Sequence, residues 1–249
     1  MKQRTMRKRQ AFTRFELVVV VAIIAVLVSM LWPALVPPKH HVREINCIFN
    51  LKEIGTGYRL WAGDNGDLVP SQQSVSKSGW GDFLTNADQG AICWTNYAIM
   101  QNELGQSPRL VVCVLDERLP AQDFTNKFDN NHISYFVGVS ANDSYPQSIL
   151  GGDRNLGGGT VPDSQYGFSP KSGKGNDVAI PISGPVSWSL KMHSAGNRAG
   201  VGNVLLGDGS VQHVSTADFN QKWLRNATPT TNWPAGHVPA TPSIRLVFP

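Results

Sequence analysis

The longest apolar pattern lies near the start of the chain. From Leu17 to Trp32 the only polar side chain is Ser29, and with Phe12 to Phe15 in front a helix-compatible run reaches Pro33. At about 1.5 Å per residue such a run spans about 30 Å, the thickness of a bilayer's hydrocarbon core. The pattern therefore predicts a membrane-length helix, and the Lys and Arg residues before it predict a cytoplasmic N-terminus with the remaining chain on the far side. Pro33, Pro37 and Pro38 predict a kink or break before Lys39. A second helix is expected over about 39–63. Val42, Ile45, Ile48 or Phe49, Leu51, Ile54, Tyr58 and Trp61 recur at three- and four-residue spacing and form one apolar stripe. The turn-rich Gly63 to Asp67 ends it.

Further along, Gln89 to Gly105 reads as a short helix with a glycine cap, and Leu110 to Leu115 as a strand opened by Pro108. Ile133 to Val139, rich in β-branched and aromatic residues, predicts a central strand. Between about Tyr145 and Gly184 the chain turns rich in Gly, Ser, Pro and Asp and reads mostly as loop. Val201 to Leu206 and Ser210 to Val214 flank Asp208-Gly209, a hairpin signal, because Asp-Gly adopts positive φ at low cost. Ser215, with Asp218 three residues on, predicts the N-cap of a closing helix to about Asn226. Ile244 to Phe248 predicts an edge strand after a Pro-rich tail.

Charge changes meaning once it is located. The 249 residues carry a net charge of +4, but Lys2, Arg4, Arg7, Lys8 and Arg9 all precede Ala11 with no acidic residue among them. Removing those five leaves −1, so the basicity belongs to topology and points to no nucleic-acid partner. Cys47, Cys93 and Cys113 include no CxxC pair, which disfavours zinc. One disulfide plus a free thiol, or three buried thiols, both fit an exported domain.

Within the apolar run, Glu16 is the exception that asks for a function, because a carboxylate at the head of a membrane helix needs a partner. Lys8 and Arg9, then Ala11, Phe12, Glu16 at the fifth place from Phe12, an apolar run and Pro33 at the twenty-second resemble the class III signal of type IV pilins and pseudopilins. The chain departs from that signal in having Ala11 where the family has Gly, and Arg14 at an ordinarily apolar place. The resemblance implies cleavage by a prepilin peptidase between Ala11 and Phe12, methylation of the new amine, and a role for Glu16 as the filament carboxylate. Cys47 to Gly55 and Trp61 to Asp67 extend it, being similar to the CxNNLKQIG and WAxDxGD signature of prepilin-like proteins abundant in Planctomycetes and Verrucomicrobia-type bacteria. Cys113 with Asp116 resembles their VCPxD segment, and His193 to Gly209 their H-x9-DG unit with a longer interval. Two other readings of the N-terminus are a plain membrane anchor and a secretory signal peptide, the latter with a poor cleavage site at Ser29 to Ala34.

The resemblance implies an α+β, pilin-like fold: a long N-terminal helix, membrane half plus amphipathic half, packed on an antiparallel β-sheet, with a loop-rich C-terminal region. The implied organisation is a leader at 1–11, a transmembrane or filament-core helix at 12–33 and an exported globular domain at 34–249. A disulfide between Cys47 and Cys113 is implied by their places in family-like segments. The expected partners are the prepilin peptidase, other pilin or pseudopilin subunits and an inner-membrane assembly platform of a type II secretion or type IV pilus system. The expected location is the inner membrane, single-pass, with the C-terminal domain periplasmic or extracellular.

Candidate chemistry is sparse. No G-x-S-x-G elbow, H-E-x-x-H or phosphate-binding loop occurs, so no enzyme is expected. No cofactor is expected either, apart from Ca²⁺ at loop carboxylates, for which Asp153 and Asp208 are the candidates, with His193 and His213 flanking the hairpin. Turn geometry and hydrogen bonding account for the same four residues without a metal. Seven tryptophans leave open a second function, a membrane-tethered module that binds envelope polysaccharide by stacking.

Overall fold

The apolar run folds as helix α1 (Arg14–Leu35), and the second helical pattern as α2 (Lys39–Asp64). The computed structural model describes residues 13–35, 39–84, 93–141, 145–170, 179–182, 184–195, 200–224 and 244–249, with side chains to Met30 in α1 and from Arg43 in α2. The chain divides into two compact units, Met1–Val42 and Arg43–Pro249. This corrects the expectation of one long N-terminal helix. The run is two helices, α1 ending at Leu35 and α2 beginning at Lys39.

The transmembrane expectation is corrected as well. Among the described residues no helix is long and apolar enough to cross a membrane. Arg14 and Glu16 occupy the first turn of α1, and its described apolar side chains run from Leu17 to Met30. The transmembrane helix at 12–33 and the single-pass inner-membrane placement that depended on it lose their support.

Among the described residues of the second unit eight strands form two sheets. In chain order they are β1 (Tyr135–Gly138), β2 (Ile149–Asp153), β3 (Leu156–Gly158), β4 (Ile180–Ile182), β5 (Val186–Trp188), β6 (Val201–Leu206), β7 (Val211–Ser215) and β8 (Ile244–Val247). Six of them make a sheet in the order β4-β8-β1-β2-β6-β7, antiparallel throughout, and β3 pairs with β5 in a small second sheet. The α+β content and the antiparallel sheet stand. Alternate residues of the large sheet enter two cores, as a pleat of period two requires. Tyr135, Val137, Leu150, Leu205 and Val247 join the core that includes α2, whereas Phe136, Ile149, Val204, Leu206 and Leu246 join the core built around Trp188 and Phe219.

Helix α2 supplies Cys47, Leu51, Ile54, Tyr58 and Trp61 to the first core. Gly55 lets it lie close to the β6–β7 hairpin: a Cβ there would stand 2.9 Å from Leu205 Cδ1 and 3.3 Å from the Gly209 Cα. Ile45 and Phe49, expected on the stripe, are exposed, because the buried face is centred on Cys47.

Several local expectations are revised. Leu110 to Leu115 is no strand: Pro108–Val111 forms a 3₁₀ turn. The helix expected over 89–105 is α3 (Cys93–Ile99), followed by turns in which Gly105 does take φ +60°. The stretch read as loop contains β2, β3 and β4. The β6–β7 turn is a three-residue loop in which Gly209 alone takes positive φ, with Leu206 N–H bonded to Ser210 O at 2.9 Å, rather than the two-residue form. Strand β8 is interior, between β4 and β1, and not an edge. Ser215 caps the closing segment as expected, accepting from Asp218 N–H at 3.1 Å, and Thr216–Asp218 continues as a π-helical turn over Phe219–Trp223.

Candidate functional site

Two places carry the residues singled out by sequence. The first is the head of α1. Ala11 and Phe12 lie outside the described residues. Glu16 closes a capping box with Thr13: its Oε2 accepts from Thr13 N–H at 2.8 Å and from Thr13 Oγ1 at 2.8 Å, and Thr13 Oγ1 accepts from Glu16 N–H at 3.2 Å. The backbone and then the hydroxyl bond of Thr13 lower its pKa below the ordinary glutamate value. The cation beside it in sequence, Arg14, is not what satisfies this carboxylate.

The second place is a buried seam between α2, the segment before β1, the end of β2 and the hairpin. Cys47 and Cys113 are disulfide-bonded with Cα atoms 5.2 Å apart. The Asn50 side chain, one turn on from Cys47, donates to Val112 O at 3.1 Å and seats the helix on that segment. Cys113 Sγ lies 3.4 Å from His193 Nε2, and His193 Nε2 lies 3.4 Å from Asp153 Oδ2. Both side chains are fully buried. Asp153 Oδ2 accepts from Asn203 N–H at 2.6 Å, while Asp153 Oδ1 has no partner among the described residues. Burial pushes the Asp153 carboxyl above its ordinary pKa, against the pull of the Asn203 amide.

The Asn203 side chain links the two histidines. Its Oδ1 accepts from His213 Nδ1–H at 3.0 Å, which turns its Nδ2 toward His193 Nε2 at 3.0 Å. That donation requires a lone pair on Nε2 and puts the His193 proton on Nδ1, which has no partner among the described residues. Asp208, the other carboxylate proposed for Ca²⁺, is exposed in the hairpin turn and accepts from Ser210 N–H at 2.8 Å. The structure therefore brings Cys47, Cys113, Asp153 and His193 together and leaves Asp208 apart.

Beside the seam stands a charge cluster that sequence reading missed. Arg154, 2% exposed, grips Asp116 with Nε on Oδ2 at 2.6 Å and Nη2 on Oδ1 at 2.8 Å, and its guanidinium lies 3.4 Å over the Tyr166 ring. Burial raises the Asp116 pKa, but the bonds and charge of Arg154 outweigh it and the net shift is downward. Arg118 donates to Asn130 O at 2.7 Å and Ile133 O at 2.6 Å; burial, then the nearby Arg154 charge, lowers its pKa to about 10. Arg154, close behind the apolar and glycine stretch Ile149 to Gly152, was the available signal: an arginine buried there must find a partner.

Elsewhere chemistry is already committed. Asp123 borders an open depression lined by Gln122, Asn126 and His132, and its carboxylate accepts from Asn126 N–H at 2.6 Å and Thr125 N–H at 2.8 Å. Trp61, Trp80, Trp188 and Trp223 are buried and Trp94 is half-buried against Phe128, so none of the described tryptophans is exposed. The chain matches no family model, no curated protein and no solved structure.

Proposed function

We propose that the chain is a structural subunit of the pseudopilin or minor-pilin kind, cut by a prepilin peptidase between Ala11 and Phe12 and joined to neighbouring subunits through α1. The observation that carries this reading is the surface of α1. Phe15, Leu17, Val18, Val21, Ile23 and Ile24, pointing all round the helix, are each more than half exposed. A helix that is apolar on every side is stable only when something covers it, and a bundle of like helices from other subunits would. The N-terminal signal supplies the second support, with Glu16 set in the first turn, where a neighbour's ammonium could join the two donors from Thr13.

The test separates the cap from the charge. Glu16→Gln retains a capping-box residue, since Gln serves at that place, but removes the negative charge. The variant is expected to fold with unchanged helix content and to be lost from sheared filament fractions, and the wild-type mature chain to begin at a methylated Phe12 by mass spectrometry. Wild-type incorporation of Glu16→Gln, or recovery of chains still beginning at Met1 in a strain with active peptidase, overturns the reading.

A further inference from the structure

The absence of a CxxC pair argued against zinc, but ligands need proximity in space and not in sequence. Cys47 Sγ, Cys113 Sγ and His193 Nε2 all lie within 4.8 Å of one another, and all three residues are buried. Asp153 Oδ2 adds a fourth ligand atom 3.4 Å from the same nitrogen. In a tetrahedral site with Zn–S of about 2.3 Å and Zn–N and Zn–O of about 2.1 Å, neighbouring S and N atoms stand roughly 3.5 Å apart and N and O roughly 3.4 Å apart. The corresponding separations here are 3.4 Å for Cys113 Sγ to His193 Nε2 and 3.4 Å for His193 Nε2 to Asp153 Oδ2.

Two further observations point to a ligand. The Asn203 amide, oriented by His213, donates to His193 Nε2 at 3.0 Å and so fixes the tautomer with its lone pair on that nitrogen; a metal ion bound there replaces this hydrogen bond. Asp153 Oδ1 and His193 Nδ1 are buried without partners among the described residues, which leaves this polar pocket under-satisfied.

We infer that the Cys47–Cys113 disulfide is one state of a two-state site, and that on reduction the two sulfurs, His193 Nε2 and Asp153 form a buried Cys₂-His-Asp centre for a soft divalent cation, Zn²⁺ first. A dithiol reductant gives up two electrons and two protons, becoming a disulfide as the Cys47–Cys113 bond is cleaved to two thiols. Zn²⁺ then displaces the two thiol protons, and neutral His193 and ionised Asp153 complete the set. The centre crosslinks the same two segments that the disulfide does, so α2 stays fastened under either redox condition.

The test uses the full chain, with Zn²⁺ and, as a spectroscopic probe, Co²⁺. After reduction by a phosphine and its removal, one Co²⁺ per chain should bind with a thiolate-to-cobalt charge-transfer band, Zn²⁺ should displace it, and the oxidised chain should bind none. In the reduced wild type, Zn²⁺ should slow alkylation of Cys47 and Cys113 at least about tenfold, a readout that needs no variant. Cys93→Ser should bind as wild type does, and His193→Gln should weaken binding by at least about tenfold. A reduced chain that takes up no more Co²⁺ than the oxidised one, including one that unfolds, overturns the proposal. So does alkylation at equal rates with and without Zn²⁺, wild-type affinity in His193→Gln, or loss of binding in Cys93→Ser.

Discussion

Replacing Arg154 by methionine tests the cluster that sequence reading missed. The variant keeps an unbranched chain over Tyr166 and removes the two bonds, 2.6 and 2.8 Å long, that hold Asp116, whose side chain is fully buried. An ionised carboxylate left in that place without its partner costs about 3–5 kcal/mol, a large part of the roughly 5–15 kcal/mol that keeps a domain folded. Arg154→Met/Asp116→Asn removes the stranded charge and should recover at least about half of the loss. The assay is urea unfolding at pH 7 and again below pH 4. In the wild type the folded pKa of Asp116 is lowered, so its contribution is fully present above the unfolded value of about 3.9 and is lost as pH falls through the folded one. In Arg154→Met the largest opposition to burial is gone, with only the Ser134 bond and the Arg118 charge left to hold the carboxyl down, and the folded pKa is expected to rise above the unfolded one, which reverses the sign. The gap between wild type and variant should therefore narrow as the solution is acidified. A loss under about 1 kcal/mol at pH 7, or a gap that does not change with pH, refutes the reasoning.

Removing the disulfide by Cys47→Ala/Cys113→Ala frees a loop closed over 66 residues, for which chain entropy gives about 4 kcal/mol; an unchanged urea midpoint in non-reducing buffer would contradict it. Gly152→Ala places a methyl group 2.7 Å from Asn203 O and 2.7 Å from Phe136 Cζ, and overpacking of about 1–3 kcal/mol should lower the melting temperature; full stability would show that β1 and β6 can move apart.

Where side-chain pattern sets local structure, the sequence was readable. The run Ile133 to Val139 contains β1, and Asp208-Gly209 turns the hairpin, because β-branched crowding and a tolerated positive φ act within a few residues. Strand β2 was not readable for the converse reason. Gly151 and Gly152 have no strand preference of their own, and they are held extended because Phe136 and Asn203 leave no room for a side chain. Nothing near Ile244 tells that β8 lies between β4 and β1. For the site, Cys47, Cys113, Asp153 and His193 each drew attention singly, but their convergence joins residues 66 and 80 positions apart, beyond the reach of any spacing rule. Arg154 stayed hidden because its partner, Asp116, is 38 positions away.

The place of Cys47 also fixes how the second unit answers a pull. Tension delivered along the chain from the first unit arrives at Arg43 and meets Cys47 four residues later. There a covalent bond diverts the load straight to Cys113, so the body of α2, α3 and everything else inside the closed loop lie off the line of force. What carries the strain instead is the short path from Cys113 into β1, where Ser134 N–H is bonded to Val111 O at 2.8 Å and β1 is clamped between β2 and β8. A pull on the chain before Cys47 is thus taken up at the middle of the sheet, the part in which strands must shear together rather than peel one at a time.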